Sequence, residues 1–333
     1  MSIAILAIRR ICAEPVTEKE LFIAICQANP AAIPVFAQCW WLNAVSDHPD
    51  DWNVVISMKG EQVTGIWPYL IQERLSITMM RNPRLTPYLG PFIFFPADIK
   101  ESNRDNFEYK VTEQLLAGLP DADVWRLSLR PGFRQAGIMR RYGLKIEVQQ
   151  SFILNLEESE EQLFLRFKDD VRRNIRVAER ELQVQSDPTA IAGLYDFQKV
   201  TLEEKRVNQP YTEDQLQTLL DASIANNSGA LLVAREKGII QAIIWNVWDH
   251  DSSYYLMGGK NPDMENTKAM SLLLWHCILE AKRRGNKYFD FEGSMDNGVE
   301  RFFRSFGAER ELYMVLKRDG HWLWKLLRTF RIR

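Results

Sequence analysis

The spacing of apolar residues along the chain changes between two periods, and each change marks the end of one element and the start of another. The stretch 287–309, KYFDFEGSMDNGVERFFRSFGAE, holds both periods in succession. Tyr288, Asp290 and Glu292 alternate with Phe289 and Phe291, so the acids share one face of a strand and the aromatics the other. After a turn at Gly293-Ser294, Val299, Phe302, Phe303 and Phe306 fall at i, i+3, i+4 and i+7, one apolar face of a helix, and Gly307 ends it. Arg301 and Arg304 lie off that face, three apart. A second helical pattern occupies 168–185, where Val171, Ile175, Ala178 and Leu182 form the buried stripe. Arg172, Arg176 and Arg180 repeat every four residues on another face of it, with Arg173 beside them.

The remaining pattern completes an order of elements that occurs twice. The opening MSIAILAIRRICAEP reads as a strand; helices over 16–28 and 34–46 follow, separated by Asn29-Pro30. A hairpin over 52–71 turns at Lys59-Gly60-Glu61, 86–95 is a further strand segment, and 102–118 is a helix. VWRLSLR (124–130) is a strand, a short helix ends near Gly143, and EVQQSFILNL is a long strand. The second half gives helices over 158–181, 188–206 and 212–226, then a hairpin turning at Lys237-Gly238. Lys59-Gly60 and Ile66-Trp67 recur with the same spacing as Lys237-Gly238 and Ile244-Trp245, and Tyr142-Gly143 matches Phe306-Gly307. We read a duplication of one α/β (α+β) unit, each copy a mixed sheet flanked by helices, over 1–150 and 151–333. In that alignment Arg126 and Ser128 stand where the second copy has Asp290 and Glu292, so the acids belong to the second copy alone.

A chain of 333 residues exceeds what one core usually serves, in accord with two units. Its 42 basic and 44 acidic side chains leave a formal charge of −2, which gives no global footprint for nucleic acid and requires any polyanion to be held by a local patch. Cys12, Cys26, Cys39 and Cys277 have no Cys-x-x-Cys spacing and no adjacent histidine, so neither zinc nor a redox pair is indicated and a reducing cytoplasm is expected. Arg9 and Arg10 interrupt the apolar start before a signal-peptide core, and no run approaches a membrane span. Signatures of zinc proteases, serine hydrolases, dinucleotide folds and phosphate loops are absent, and no metal is expected.

Three motifs carry a resemblance to a known family: KDDVRRNIRVAERELQVQ (168–185), NVWDHDSSYYLMGG (246–259) and YFDFEGS followed by ERFFRSFGAE. They resemble the Fem-type branch of the GNAT acyltransferase superfamily, the FemABX peptidyltransferases and FemAB-like acetyltransferase domains. The resemblance implies two tandem GNAT-like units, each a mixed, mostly antiparallel sheet flanked by helices, with the site in the second. It implies transfer of an aminoacyl or acyl group to an amine of a cell-wall or polysaccharide precursor. Two departures stand out. Arg304 occupies the place of a family lysine, and a guanidinium does not give up its proton. GGKNPDMENTKAM (258–270) lacks the arginine- and glycine-rich spacing that holds a coenzyme pyrophosphate at a helix start.

Acyl transfer to an amine needs a held donor carbonyl, a bound acceptor and a group to take the amine's proton. Asp290 and Glu292 are the expected acids, with Asp290 half-buried against an arginine, and Tyr254 or Tyr255, on opposite strand faces, adds one hydroxyl; Tyr254 is the candidate. Arg172, Arg173 and Arg176, Lys205 and Arg206 at the end of a helix, and Arg304 are the expected phosphate-binding cations for a nucleotide- or lipid-linked acceptor or for charged tRNA. No permanently bound cofactor is expected; the donor is aminoacyl-tRNA or acyl-CoA. The final HWLWKLLRTFRIR is a basic amphipathic helix that either packs on the protein or rests on the inner face of an anionic membrane. An acyl-CoA-dependent N-acyltransferase and a catalytically idle binding module of the same fold remain open alternatives.

Overall fold

The structure is a computed structural model that describes residues 3–4, 17–74, 76–264, 268–293 and 295–320. The expected C-terminal helix and most of the expected first strand lie outside these residues. The chain divides into two compact units, Met1–Gln149 with Leu312–Arg333 and Gln150–Glu311.

The first unit opens with β1 (Ile3–Ala4), α1 (Glu18–Ala28) and α2 (Cys39–Val45), followed by the meander β2 (Trp52–Lys59), β3 (Gln62–Arg74) and β4 (Ile77–Arg81). Thr17 starts α1 with a full capping box, its hydroxyl accepting from the Glu20 amide while the Glu20 carboxylate accepts from Thr17. The β2–β3 hairpin turns at Gly60, whose φ of +61° is the left-handed geometry such turns need. Of the expected strand at 86–95 only β5 (Phe92–Ile93) forms, pairing with β3. There follow α3 (Glu101–Gly118), β6 (Val124–Ser128) and α4 (Ala136–Arg141). β6 runs parallel to β4, so α3 is the crossover that parallel pairing demands. The other edge of β6 pairs antiparallel with Val315–Asp319, which brings the end of the chain back into this unit.

The second unit repeats this plan. β7 (Lys145–Asn155) enters it, and α5 (Glu160–Arg166), α6 (Asp169–Glu181), β8 (Gln183–Ser186), α7 (Ile191–Glu204) and α8 (Glu213–Ala225) precede the meander β9 (Gly229–Glu236), β10 (Ile239–Trp248) and β11 (Ser252–Lys260). Then come α9 (Lys268–Arg284), β12 (Tyr288–Asp290), α10 (Asn297–Arg304) and β13 (Glu309–Asp319). β12 runs parallel to β11 on one side and antiparallel to β7 on the other, the pairing that β6 shows with β4 and Val315–Asp319. Trp67 and Trp245, the repeated tryptophans, are each fully buried.

The continuous helix expected over 158–181 is two helices. Phe167 is extended (φ −69°, ψ 147°) and lies between the rings of Trp275 and Phe306, at 5.3 and 5.1 Å. Lys168 then gives its N–H to the Ser305 carbonyl at 2.9 Å. Burying an aromatic ring among others outweighs one more turn of helix. The α6 stripe is as expected: Val171, Ile175, Ala178 and Leu182 all enter the core with α9, Phe289 and Phe291.

Candidate functional site

The segment after α9 is fixed from one side by aromatic rings. Phe289 and Phe291 meet edge to face at 4.9 Å, and Phe291 meets Phe303 at 5.2 Å and Phe306 at 5.6 Å, contacts worth about 0.5–1.5 kcal/mol each beyond area burial. With the aromatics committed to that core, strand alternation turns Asp290 to the opposite face of the sheet. Asp290 is 4% exposed. Among the described residues no arginine pairs with it as expected; Oδ1 instead accepts the Ser151 hydroxyl and, at 2.8 Å, the backbone N–H of Glu292. Register decides this, because β7 lies beside β12 with Asp290 opposite Ile153 and so carries Ser151 to that end of the strand. Burial pushes the Asp290 carboxyl up to about 6, while the two hydrogen bonds hold it down.

Glu292 has left the strand. Its φ is +57°, a left-handed conformation that is unfavourable for a side chain of this size, and Gly293 follows at +53°. A Cβ at Gly293 would stand 2.0 Å from the Gln150 carbonyl oxygen, so only glycine lets the chain turn against β7 here. The Glu292 side chain is only partly covered, but its Oε1 is shut off from solvent and has no hydrogen-bond partner. Desolvation first, and the neighbouring Asp290 charge second, raise its carboxyl well above the ordinary glutamate range.

These acids sit where two parallel strands part. β11 and β12 share only the pairs from Ser252–Tyr288 to Tyr254–Asp290. Beyond them β11 stays with β10 as far as Lys260, whereas Phe291 gives its N–H to Phe152 of β7 at 2.9 Å. Two residues into the divergence the β10–β11 register jumps from Asn246–Tyr255 to Trp245–Met257, leaving Leu256 as a bulge. A bulge releases backbone groups from the ladder, and it is a common device beside active sites. Tyr254 is paired in register with Asp290, its hydroxyl donating to Asp249 Oδ2 at 3.1 Å, and burial and these two acids raise it well above the ordinary tyrosine. Tyr255 faces the other way, edge-on to Phe303 at 5.7 Å. α7 lies close over β11: a Cβ on Gly259 would meet Phe197 at 2.7 Å, and Gln198 bonds the Gly258 carbonyl.

The expected cations are not gathered on one face. Arg172 is committed locally, to Asp169 and to the Leu165 carbonyl at 3.1 Å, where it closes the end of α5. Arg173 is exposed, and Arg176 is exposed with its guanidinium 5.4 Å from the Phe164 ring. α6 packs on the Phe289–Phe291 side, away from Asp290. Arg304 is paired with Glu300 at 3.5 Å. Lys205 is on the other side, at the end of α7, 3.0 Å from Asp296 Oδ2, and Arg206 beside it is exposed at φ +56°. Asp296 also caps α10, accepting from Gly298 and Val299 at 2.9 and 3.3 Å. Ser151 and the Leu256 bulge were not among the residues expected from sequence; each acts through a neighbour in another strand, and no local pattern marks them, whereas Gly293 was expected as a turn residue and its close approach to β7 was not. Among the described residues no group of three His, Cys, Asp or Glu is placed to hold a metal, and no helix is long and apolar enough to cross a membrane.

Residues 166–304 match the sequence profile of the acetyltransferase (GNAT) domain family. No curated protein sequence matches the chain significantly. Among solved structures, FemX is similar over 79% of this chain and 87% of its own, with a TM-score of 0.58 at 11% identity. L-PGS from Bacillus licheniformis covers 85% of this chain and 90% of its own (TM-score 0.51, 14% identity). A tandem GNAT protein from the clavulanic acid biosynthesis pathway covers 88% and 92% (TM-score 0.50, 8% identity). Residues 166–304 thus match an acetyltransferase (GNAT) domain, which supports an acyltransferase enzyme, and the fold of the chain is similar to that of FemX and of the tandem GNAT protein.

Proposed function

We propose that the protein transfers an aminoacyl or acyl group to an amine of a cell-wall or polysaccharide precursor, with the reaction at the parting of β11 and β12. The observation that carries this reading is the neighbouring pair of buried Asp290 and partly covered Glu292 at that gap, both carboxyls raised and Glu292 in a left-handed conformation. The amine attacks the donor carbonyl, a C–N bond forms, and the ester or thioester bond breaks. Asp290, with its carboxyl near 6, is ionised at neutral pH and takes the proton the amine sheds. Glu292, which keeps its own proton longer, supplies a hydrogen bond or a proton to the leaving group. The backbone freed at the Leu256 bulge faces the donor carbonyl and stabilises its oxyanion. Lys205 and Arg206, on the side of the sheet to which Asp290 points, take the acceptor's phosphate; Arg173, Arg176 and Arg304 serve a larger donor such as tRNA.

The donor is aminoacyl-tRNA or acyl-CoA. Similarity to FemX and L-PGS supports the first. The GNAT domain match supports the second. Parallel thermal-shift titrations with acetyl-CoA, a UDP-linked muramyl pentapeptide and charged tRNA decide between them, because a ligand stabilises only the state it binds. Saturable stabilisation by the nucleotide-linked peptide or by charged tRNA, with transfer lost in Asp290→Asn, is the expected result. Acetyl-CoA acting alone selects the N-acyltransferase reading. Silence from all three sinks the precursor assignment.

A further inference from the structure

Helix α1 turns Leu21, Phe22, Ile25 and Cys26 into the core of the first unit, and α2 begins at Cys39. The connection between them is held by Gln38, whose Nε2 donates at 2.7 Å to both the Pro30 and Ile33 carbonyls. This arrangement sets Cys39 Sγ 3.0 Å from Cys26 Sγ. Non-bonded carbon atoms rest roughly 3.5–4.0 Å apart and sulfur is larger, so the two thiols are already closer than ordinary contact. Cys26 is buried at 6% exposure, Cys39 is partly open to solvent, and both are free thiols. Cys277 lies in the core of the second unit and Cys12 outside the described residues.

We propose that Cys26 and Cys39 form a reversible disulfide that staples α1 to the start of α2, with a low-molecular-weight disulfide such as oxidised glutathione as the oxidant. Cys39, the accessible partner, attacks one sulfur of the oxidant as its thiolate and expels the other as a glutathione thiolate. Cys26 then attacks Cys39 Sγ in the mixed disulfide and expels the second glutathione. Both protein thiols lose their protons, and the two electrons they give up reduce the oxidant's sulfur–sulfur bond to two thiols. The hydrogen bond with Cys26, and burial after it, raise the Cys39 thiol above its ordinary range, so this exchange is slow.

The test is to hold the full chain in oxidised glutathione for hours, block remaining thiols, and measure intact mass and a peptide map. The wild type is expected to lose the mass of two hydrogens and two of its four thiols, with Cys26 joined to Cys39 in the map. Its melting temperature then rises by several degrees and falls back on reduction, because the staple restricts the unfolded chain. Cys39→Ser forms no such product, and Cys26→Ser stops at the mixed disulfide on Cys39. The proposal is overturned if the folded wild type keeps all four thiols while the unfolded chain oxidises, if the bond joins Cys12 or Cys277, or if the oxidised form melts no higher.

Discussion

Asp290 Oδ1 receives the backbone N–H of Glu292 at 2.8 Å, and Glu292 stands at φ +57° in doing so. One carboxylate thus holds the backbone that aims the other, and neither can be altered without moving its neighbour's charge or position.

Asp290→Asn is expected to stabilise the protein while abolishing transfer. The folded Asp290 carboxyl lies near 6 against an ordinary 3.8, so the folded state binds its proton more tightly and stability falls as pH rises between those values. Removing the charge recovers up to about 2–3 kcal/mol at about pH 8 and nothing near pH 4. Urea unfolding at the two pH values checks it; an equal gain at both would refute the assigned titration.

Glu292→Gly relieves both the left-handed strain and a buried carboxyl oxygen without a partner. A gain of about 1 kcal/mol or more is expected, together with loss of turnover. A destabilised variant would show that Glu292 is a structural tie.

Gly293→Ala places a methyl 2.0 Å from the Gln150 oxygen and 2.7 Å from Ser151 Cα, both backbone atoms that cannot yield cheaply. Destabilisation of about 3 kcal/mol or more is expected. Gly137 in α4 has nothing within 4 Å of its would-be Cβ and no left-handed φ, so Gly137→Ala should instead add about 0.5–1 kcal/mol. Denaturant titration of both variants separates collision from a general intolerance of alanine.

Ser151→Ala removes a hydrogen bond that holds the Asp290 carboxyl down. The acid limb of the rate–pH profile is therefore expected to move to higher pH, with KM little changed. A uniform fall in rate with the limb unmoved would mean that Ser151 only packs.

Asp296 both caps α10 and pairs with Lys205. Asp296→Ala should lower the melting temperature through the lost cap, and Lys205→Ala should lower it less, since the pair is exposed. If Lys205 takes the acceptor's phosphate, KM for the acceptor rises in Lys205→Ala while thermal stability holds.

The stripe of α6, the Phe face of α10, the glycine turns of both hairpins and the twofold recurrence of one element order were legible in the sequence, because each is written in residues a few positions apart. So was the placing of Asp290, since alternation sends it away from Phe289 and Phe291 wherever the strand lies, but Glu292, expected on the same strand face, leaves the strand at φ +57°. Tertiary structure decided what depends on distant strands and rings. Phe167 left the helical pattern because its ring is buried against Trp275 and Phe306. Asp290 took Ser151 in place of an arginine because the β7–β12 register brings residues 139 apart together. The α6 arginines fell on the far side of the sheet from Asp290 because the buried stripe they share a helix with faces Phe289 and Phe291. Periodicity fixes which way a side chain points from its own element; only the packing of elements fixes what it meets.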